Sequence, residues 1–250
     1  MQYDIVRQKR RFEMLDKSSR KDVLKMNAFF GRYDLTFLGK KKKVYTYYDT
    51  ANLDLFKSGI ALFRTDIGKM HTLTMTLERL YNEDNRKLQT YRNKKNVIDI
   101  GKFDSIFKHT DFLRNSFLDM FNSSISFDPD FLLKKLRLTY VITTQSYEYR
   151  ATNGVGLKVT YSFDQDNFYN SETNAKVKGD YLTVYQHSKS ETDDEFANLI
   201  SKLIRYCKSL TPIKESKIEI ARRLTSKEYL ERKRNLKENK RKTQQLDKKK

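Results

Sequence analysis

The sequence predicts an α+β protein: an antiparallel, tunnel-like β-barrel of about eight strands, with flanking helices and a basic C-terminal helical tail. Segments of strand propensity recur along the chain, and many carry polar residues on one face and apolar residues on the other. Amphipathic helical segments lie between them. Helices outside and polar strand faces inside favour a barrel or tunnel with a solvent-filled interior.

The first half of the chain is predicted to consist mainly of strands. Tyr3–Leu15 is the first, and in an extended chain its Arg7, Lys9 and Arg11 point to one side. Lys17–Phe30 follows as a helix, because its apolar residues recur at helical spacing. The next elements are a solvated loop at Lys40–Lys43, strands at Val44–Tyr48, Ile60–Thr65 and Thr72–Leu77, a turn or short helix at Leu53–Gly59, and a hairpin or long loop over Tyr81–Asn96.

The second half mixes helices and strands. Lys102–Asn122 is predicted to be a helix with an apolar stripe of Phe103, Ile106, Phe107, Leu113, Phe117, Leu118 and Phe121. Strands are expected at Leu136–Tyr149, Gly156–Phe163 and Tyr181–Gln186. Thr192 and Glu195 have the spacing of a capping box, which predicts a helix that begins there and extends to Leu210. A last apolar segment begins at Ser216 and then thins into charged residues.

Composition indicates a folded chain without membrane spans. Hydrophobic residues make up 38%, and 16 Tyr and 16 Phe supply large apolar side chains for a core. No apolar run approaches the roughly 20 residues that a membrane-spanning helix needs, and no apolar signal core follows the N-terminus. We therefore expect a soluble, cytoplasmic protein with no transmembrane segment.

Charge is the strongest compositional feature. Lys and Arg number 51 against 32 Asp and Glu, a net charge of +19. Such a chain is expected to bind an anionic partner. Residues 226–250 are basic and poor in apolar residues, so we divide the chain into a tunnel domain at 1–225 and a helical or disordered tail at 226–250. The tail could contact nucleic acid or an anionic membrane surface.

The sequence gives little support for a catalytic cysteine, a histidine metal site, a glycine-rich phosphate-binding loop or an Asp-x-Asp metal site. The single Cys207 is interpreted as a buried small hydrophobe, and the three histidines lack metal-ligand spacing. Gly154 and Gly156 do not form a phosphate-binding loop, because no third Gly and no Lys-Ser/Thr pair follow them. Asp164 and Asp166 could share a metal, but an isolated Asp-x-Asp after a strand is usually a turn.

The stretch Tyr47–Leu62, YYDTANLDLFKSGIAL, carries a family resemblance. It resembles the CYTH-like superfamily of triphosphate tunnel metalloenzymes, which includes the polyphosphate polymerase domains of vacuolar transporter chaperones. The shared pattern is two aromatics before Asp-Thr, a Leu-rich turn and then Gly-x-Ala-Leu. The order of the other elements agrees from about residue 3 to residue 224.

The resemblance implies an eight-stranded antiparallel tunnel in which glutamates hold Mg²⁺ or Mn²⁺ and basic residues hold a triphosphate. The metal would neutralise the reacting phosphoryl group and position its oxygens. This chain departs from that pattern. The family's first-strand Glu-x-Glu-x-Lys falls on Arg7, Lys9 and Arg11, and a late family Glu falls on Thr183. Cations thus replace two expected metal ligands.

We therefore predict a catalytically degenerate tunnel protein that binds polyphosphate or a nucleoside triphosphate without a cofactor and acts as an adaptor or sensor. The candidate phosphate ligands are basic residues of the predicted strands and their ends: Arg7, Lys9, Arg11, Lys135, Arg137 and Lys158.

Two alternatives stay open. An active metal-dependent triphosphatase or polyphosphate polymerase could hold Mg²⁺ or Mn²⁺ on displaced carboxylates such as Glu13, Glu78 or Asp164. An RNA- or DNA-binding protein would use the positive charge and the interleaved tyrosines.

Overall fold

A computed structural model gives the structure of residues 8–16, 18–30, 33–77, 94–120, 128–187, 192–231 and 234–235. The strands are β1 (Gln8–Met14), β2 (Tyr33–Asp49), β3 (Ile60–Ile67), β4 (Met70–Leu77), β5 (Lys94–Asp99), β6 (Arg137–Asn153), β7 (Lys158–Asn170), β8 (Lys176–Gln186) and β9 (Leu210–Ile213). The helices are α1 (Ser19–Phe30), α2 (Asp54–Lys57), α3 (Thr110–Met120), α4 (Pro129–Lys135), α5 (Asp193–Tyr206) and α6 (Lys217–Leu224), with a 3₁₀ turn at Ile106–Lys108.

These strands form one antiparallel sheet in the order β5-β4-β3-β2-β6-β7-β8-β1-β9. The mixed α+β class, the large antiparallel sheet and the flanking helices are confirmed. The closed barrel of eight strands is not: within the described residues the sheet has nine strands, and no pairing joins its edges β5 and β9. The ninth strand escapes sequence prediction because Leu210–Ile213 is short and contains Pro212, which an edge strand tolerates.

One face of the sheet is covered by two groups of helices. Helices α1 and α5 pack over β1, β7 and β8, in a first core cluster that includes Phe12, Val23, Tyr161, Leu182, Phe196 and Leu203. Helices α2, α3 and α4 pack over β3 and β4, in a second cluster that includes Leu55, Leu62, Leu73, Met75, Leu113, Phe117 and Leu132. Cys207 is buried in the first cluster, as predicted, and burial raises the pKa of its thiol to about 11.

Helix α6 lies on the opposite face. Ile220, Ala221 and Leu224 contact strand residues in a third cluster that includes Tyr47, Tyr140, Ile142, Phe168 and Tyr181. A capping box begins α6, in which Ser216 and Glu219 exchange side-chain and backbone hydrogen bonds. The sequence thus places a short amphipathic helix over one end of the otherwise polar side of the sheet.

Two predicted loops are strand interiors. Lys40–Lys43 belongs to β2, whose pairing with β6 runs without interruption through these lysines. Asp164 and Asp166 lie inside β7 and are buried, so the predicted turn is wrong at that position. Both segments carry polar residues on both faces of the strand, and local composition alone does not distinguish such a strand from a loop.

The predicted helix ends also change. The helix over Lys102–Asn122 begins only at Thr110, after the 3₁₀ turn, and the stripe members Phe103, Phe107 and Leu118 are exposed. Helix α4 lies outside the predicted helices. Its start, Asp128 followed by Pro129, is an ordinary helix N-terminus in which the Asp side chain accepts from the Asp130 backbone N–H.

The start of α5 differs as well. Thr192 occupies the N-cap position, but its side chain makes no capping hydrogen bond and instead accepts from Gln186 Nε2. The capping box predicted there is therefore wrong. In the part of the chain that the structure describes, no helix is both long enough and apolar enough to cross a membrane.

Candidate functional site

The face of the sheet opposite the first two core clusters carries a band of charged and hydroxyl side chains. Phe12 points into the first cluster, so its neighbour Arg11 and the next alternate residue, Lys9, point to the other side. Pairing continues this face from Arg11 to Thr183 on β8 and from Thr183 to Ser162 on β7. We call it the polar face.

An acidic pair lies at the centre of the polar face. Asp164 and Asp166 are successive inward residues of β7, and their side chains are 4% and 1% exposed. Lys217, the first residue of α6, places its Nζ 3.3 Å from Asp164 Oδ2 and 2.8 Å from Asp166 Oδ1. One ammonium group therefore contacts both carboxylates.

Hydroxyl groups complete the surroundings of this pair. Ser146 and Ser162 donate to Asp164 Oδ1 at 2.6 and 2.7 Å, and Thr144 donates to Asp166 Oδ1. Thr144 Oγ1 in turn accepts from Lys217 Nζ at 2.8 Å. Asp166 Oδ2 is buried and has no hydrogen-bond partner within the described ranges. The carboxylate of Asp164 therefore has more hydrogen-bond donors around it than the carboxylate of Asp166.

The pKa values of the two carboxyls are driven apart. For Asp164, burial favours the neutral acid, but the Lys217 ammonium and the serine hydroxyls outweigh it, and its pKa is lowered. For Asp166, burial together with the charge of Asp164 outweighs Lys217, and its pKa is raised. A single cation cannot fully compensate two buried carboxylates.

A second ion-paired group lies beside the first. Glu148 of β6 is buried on the polar face, and Lys41 and Lys43 of β2 donate to its two carboxylate oxygens at 2.6 and 2.7 Å. Burial by itself raises the pKa of Glu148, but the two lysines outweigh it and the pKa is lowered. The alternation of β2 places Lys40 and Lys42 on the other side of the sheet.

The structure brings some of the predicted ligands together. Lys9 and Arg11 lie on the polar face, where Arg11 donates to the backbone oxygen of Glu215 at 3.3 Å. Lys158 lies on the same face of β7, in alternation with the core residue Val159. Arg7 lies outside the described residues.

The other two predicted ligands lie apart from this band. Lys135 ends α4 rather than opening a strand, and its Nζ is 3.6 Å from the ring centre of Phe131. Arg137 is exposed at the first position of β6, with a guanidinium nitrogen 3.6 Å from Glu172 Oε1. The structure therefore places both side chains with other partners, away from the buried carboxylates of the polar face.

Sequence reasoning named Asp164 and Asp166 only as a possible metal pair, and it missed the other residues of the most connected part of the site: Lys41, Lys43, Glu148 and Lys217. A signal existed for the strand residues, because Thr144, Ser146 and Glu148 alternate with larger side chains along β6. No signal exists for Lys217, since its partners lie more than 50 positions earlier in the chain.

The donor set does not fit a divalent metal of the kind that the family resemblance implies. The first-strand positions hold cations, and Thr183 stands where a late Glu is expected. Glu78 lies outside the described residues. In the described part of the chain, no group of three or more His, Cys, Asp or Glu side chains could hold a metal ion. The acidic pair already contacts the Lys217 ammonium.

Comparison with solved structures identifies the fold. HpAC1 from Hippeastrum, a candidate adenylyl cyclase with a dominant triphosphatase activity, superposes with a TM-score of 0.53 at 12% identity, over 86% of this chain and 94% of that protein. A candidate adenylate cyclase from Bacillus halodurans gives a TM-score of 0.51 at 11% identity, over 87% and 96%.

The chain therefore has the fold of the CYTH-like triphosphate tunnel proteins, as the Tyr47–Leu62 resemblance predicted. At such low identity the likeness concerns the fold alone. No model of a known protein family and no curated protein matches the sequence.

Proposed function

We propose that this protein binds a triphosphate-type polyanion, such as inorganic triphosphate, short polyphosphate or a nucleoside triphosphate, on the polar face and acts as an adaptor or sensor without turnover. The observation that carries the proposal is that cations from separate strands share this face: Lys9, Arg11, Lys41, Lys43, Arg150 and Lys158. Charge-assisted hydrogen bonds from several Lys and Arg side chains are the usual means of holding phosphate oxygens.

Glu148 makes the proposal specific. Its carboxylate engages Lys41 and Lys43 as a phosphate oxygen would, at 2.6 and 2.7 Å. A triphosphate carries several negative charges and can exchange with a single carboxylate at these two ammonium groups. The Lys41 side chain is 46% exposed, so an incoming anion has access to it. We therefore regard Glu148 as an internal competitor of the ligand.

The test is calorimetric titration of inorganic triphosphate in EDTA. Replacing Lys41, Lys43 and Glu148 together with Gln removes the two cations without leaving a buried charge. Two charge-assisted hydrogen bonds are worth about 1.5–3 kcal/mol each, so affinity should fall about 100-fold or more. The matched control, Lys40→Gln with Lys42→Gln, removes two lysines from the opposite side of β2, a larger loss of net positive charge than in the triple variant, and should change affinity less than about threefold.

Glu148→Gln alone should have the opposite effect. It frees both lysines and should tighten triphosphate binding about tenfold, which corresponds to about 1.4 kcal/mol. A gain of affinity cannot result from structural damage. Equal affinity in the wild type, the triple variant and Glu148→Gln would contradict this location for the ligand.

An active metal-dependent triphosphatase or polyphosphate polymerase is the second candidate. The observation in its favour is the set of buried carboxylates Glu148, Asp164 and Asp166, which a metal-assisted reaction could use once the lysines that contact them are displaced. HpAC1, which shares the fold, has a triphosphatase activity. Turnover of triphosphate with Mg²⁺ or Mn²⁺ that stops on addition of EDTA would support this candidate against the adaptor.

The remaining sequence predictions concern the tail, the cellular location and the domain boundary, and the residues of the polar face give no support for or against them. Nucleic-acid or membrane binding is predicted for the tail, and residues 236–250 lie outside the described residues. The cytoplasmic location and the 225/226 domain boundary likewise stay predictions.

A further inference from the structure

We infer that the Lys217 ammonium takes the place of a divalent cation between Asp164 and Asp166, so that the polar face binds its anion without metal. The inference deepens the proposed function, on which it rests for the identity of the anion. Its central claim, that the acidic pair is occupied by an internal cation, concerns this chain alone and can be tested with metal alone.

The contacts of Lys217 support this substitution. Its side chain is 11% exposed, and its Nζ lies within 3.3 Å of both carboxylates and 2.8 Å from the Thr144 hydroxyl. Mg²⁺ and Mn²⁺ are commonly held by one or two carboxylates together with further oxygen ligands. The acidic pair, the nearby hydroxyls and the unpartnered Asp166 Oδ2 offer such oxygens, and the ammonium group contacts three of them.

The fold fixes this ammonium in place. Lys217 follows Ser216, the N-cap residue of the capping box, and α6 is anchored by Ile220 and Leu224 in the third core cluster. Just before it, the backbone oxygen of Glu215 accepts from Arg11. A proposed phosphate ligand thus contacts the same segment that delivers the internal cation.

One charge against two carboxylates leaves the pair incompletely compensated, in agreement with the raised pKa of Asp166. Removing Lys217 therefore leaves two buried carboxylates without the cation that compensates their charge. In its absence a divalent ion can enter and restore the charge balance, whereas in its presence the ion must displace a buried, hydrogen-bonded ammonium group.

The experiment is a Mn²⁺ titration followed by electron paramagnetic resonance, without any phosphate compound. Lys217→Ala should bind Mn²⁺ at least about tenfold more tightly than the wild type, and millimolar Mn²⁺ should raise its melting temperature. The matched control is Lys214→Ala, because Lys214 is an exposed lysine three positions earlier. It should behave like the wild type in both measurements.

Mn²⁺ binding to the wild type as tight as to a folded Lys217→Ala variant would overturn the inference, and so would a folded variant that gains no affinity. If Lys217→Ala does not fold, the wild type decides: tight Mn²⁺ binding contradicts an occupied pair, and its absence supports one. Addition of EDTA to the wild type should leave triphosphate affinity unchanged. Failure to bind triphosphate with or without metal would contradict the proposed function and leave the Mn²⁺ result standing.

Discussion

At the scale of single residues, Glu148 shows how a buried charge is kept on this sheet. Its charged carboxylate can be buried because two lysines of the neighbouring strand donate hydrogen bonds to it and compensate its charge. Lys43 is nearly buried whereas Lys41 is half exposed, so the two ammonium groups differ in their access to solvent. The buried ion pair with Lys43 stabilises the fold, and the exposed Lys41 is the ammonium group that an anion from solvent can reach.

The lowered pKa of Glu148 predicts a pH dependence of stability. Because the folded carboxyl holds its proton less tightly than the unfolded one, the ion pairs stabilise the protein fully above the ordinary pKa of 4.5. That stabilisation is lost as pH falls through the lower folded pKa. Glu148→Gln should therefore be less stable than the wild type at pH 7, and the difference should shrink as the solution is acidified below about pH 4.5.

Urea unfolding at a series of pH values measures this difference. The matched control is Glu172→Gln, because the Glu172 side chain is 66% exposed and its ion pair with Arg137 is long, at 3.6 Å. It should show little change at any pH. A gap between the wild type and Glu148→Gln that stays constant from pH 7 to acid would show that Glu148 stabilises the fold by packing rather than by charge.

The residue scale also shows where sequence reasoning succeeds. Alternation along the first strand correctly places Lys9 and Arg11 on one face, because a strand alone determines which side chains share a side. It could not supply their neighbours. Glu148 meets lysines more than 100 positions earlier, and such pairings depend on strand order rather than on local pattern.

At the scale of elements, the stretch that carries the family resemblance has a structural role. Asp49 ends β2, and its carboxylate accepts from the backbone N–H groups of Thr50, Leu55 and Phe56 at 2.7–3.0 Å. These bonds tie the four-residue helix α2 to the end of the strand. Leu55 of that helix is fully buried in the second core cluster. These hydrogen bonds give the Asp of the motif a structural role in the chain turn between β2 and α2.

Asp49→Ala should accordingly destabilise the protein. Removing a capping carboxylate leaves buried N–H groups without acceptors, which costs about 2 kcal/mol. Asp111→Ala is the matched control, because Asp111 lies in the first turn of α3 but is 92% exposed. Chemical denaturation should separate the two variants, while triphosphate affinity stays that of the wild type in both. A loss of affinity in folded Asp49→Ala protein would instead assign this motif to the site.

Element boundaries were harder to predict than element existence. Strands β2 and β7 extend far beyond their predicted ends. The added part of β2 pairs with β6, and the added part of β7 pairs with both β6 and β8. In the sequence those added parts contain lysine and aspartate runs, which alone are typical of loops. The helix ends depend on capping side chains, and Thr192 shows that a suitable residue at the N-cap can be engaged elsewhere.

At the scale of the whole molecule, the sheet separates two kinds of interaction. Helices α1 to α5 cover one face with apolar side chains, and within the described residues α6 and its neighbours lie on the other. A net charge of +19 can be tolerated because much of it is distributed over strands and exposed surface rather than buried. The apolar core is thus completed on one face, while the other face combines the buried carboxylates with α6 and with cations such as Lys41, whose side chain is 46% exposed.

The last prediction concerns the end of the chain. Residues 227–231 are helical, and Tyr229 and Leu230 pack against the third core cluster beside α6. A chain ending at residue 225 lacks this packing. Partial burial of two large side chains is worth about 1–2 kcal/mol, so its melting temperature should fall by about 3–6 °C. A chain ending at residue 235 keeps both side chains and should melt like the full protein.

Tyr229→Ala with Leu230→Ala in the full chain is the control, and it should reproduce the destabilisation caused by truncation at residue 225. Triphosphate affinity should survive removal of residues 236–250, because the proposed ligands lie on the strands. The same removal should weaken any binding to DNA and flatten its dependence on salt, by about 0.9 in log–log slope for each phosphate that the tail no longer neutralises. Equal melting temperatures for the chains ending at 225 and 235 would place the domain boundary at residue 225, as the sequence alone predicted, and would make the packing of Tyr229 and Leu230 incidental to stability.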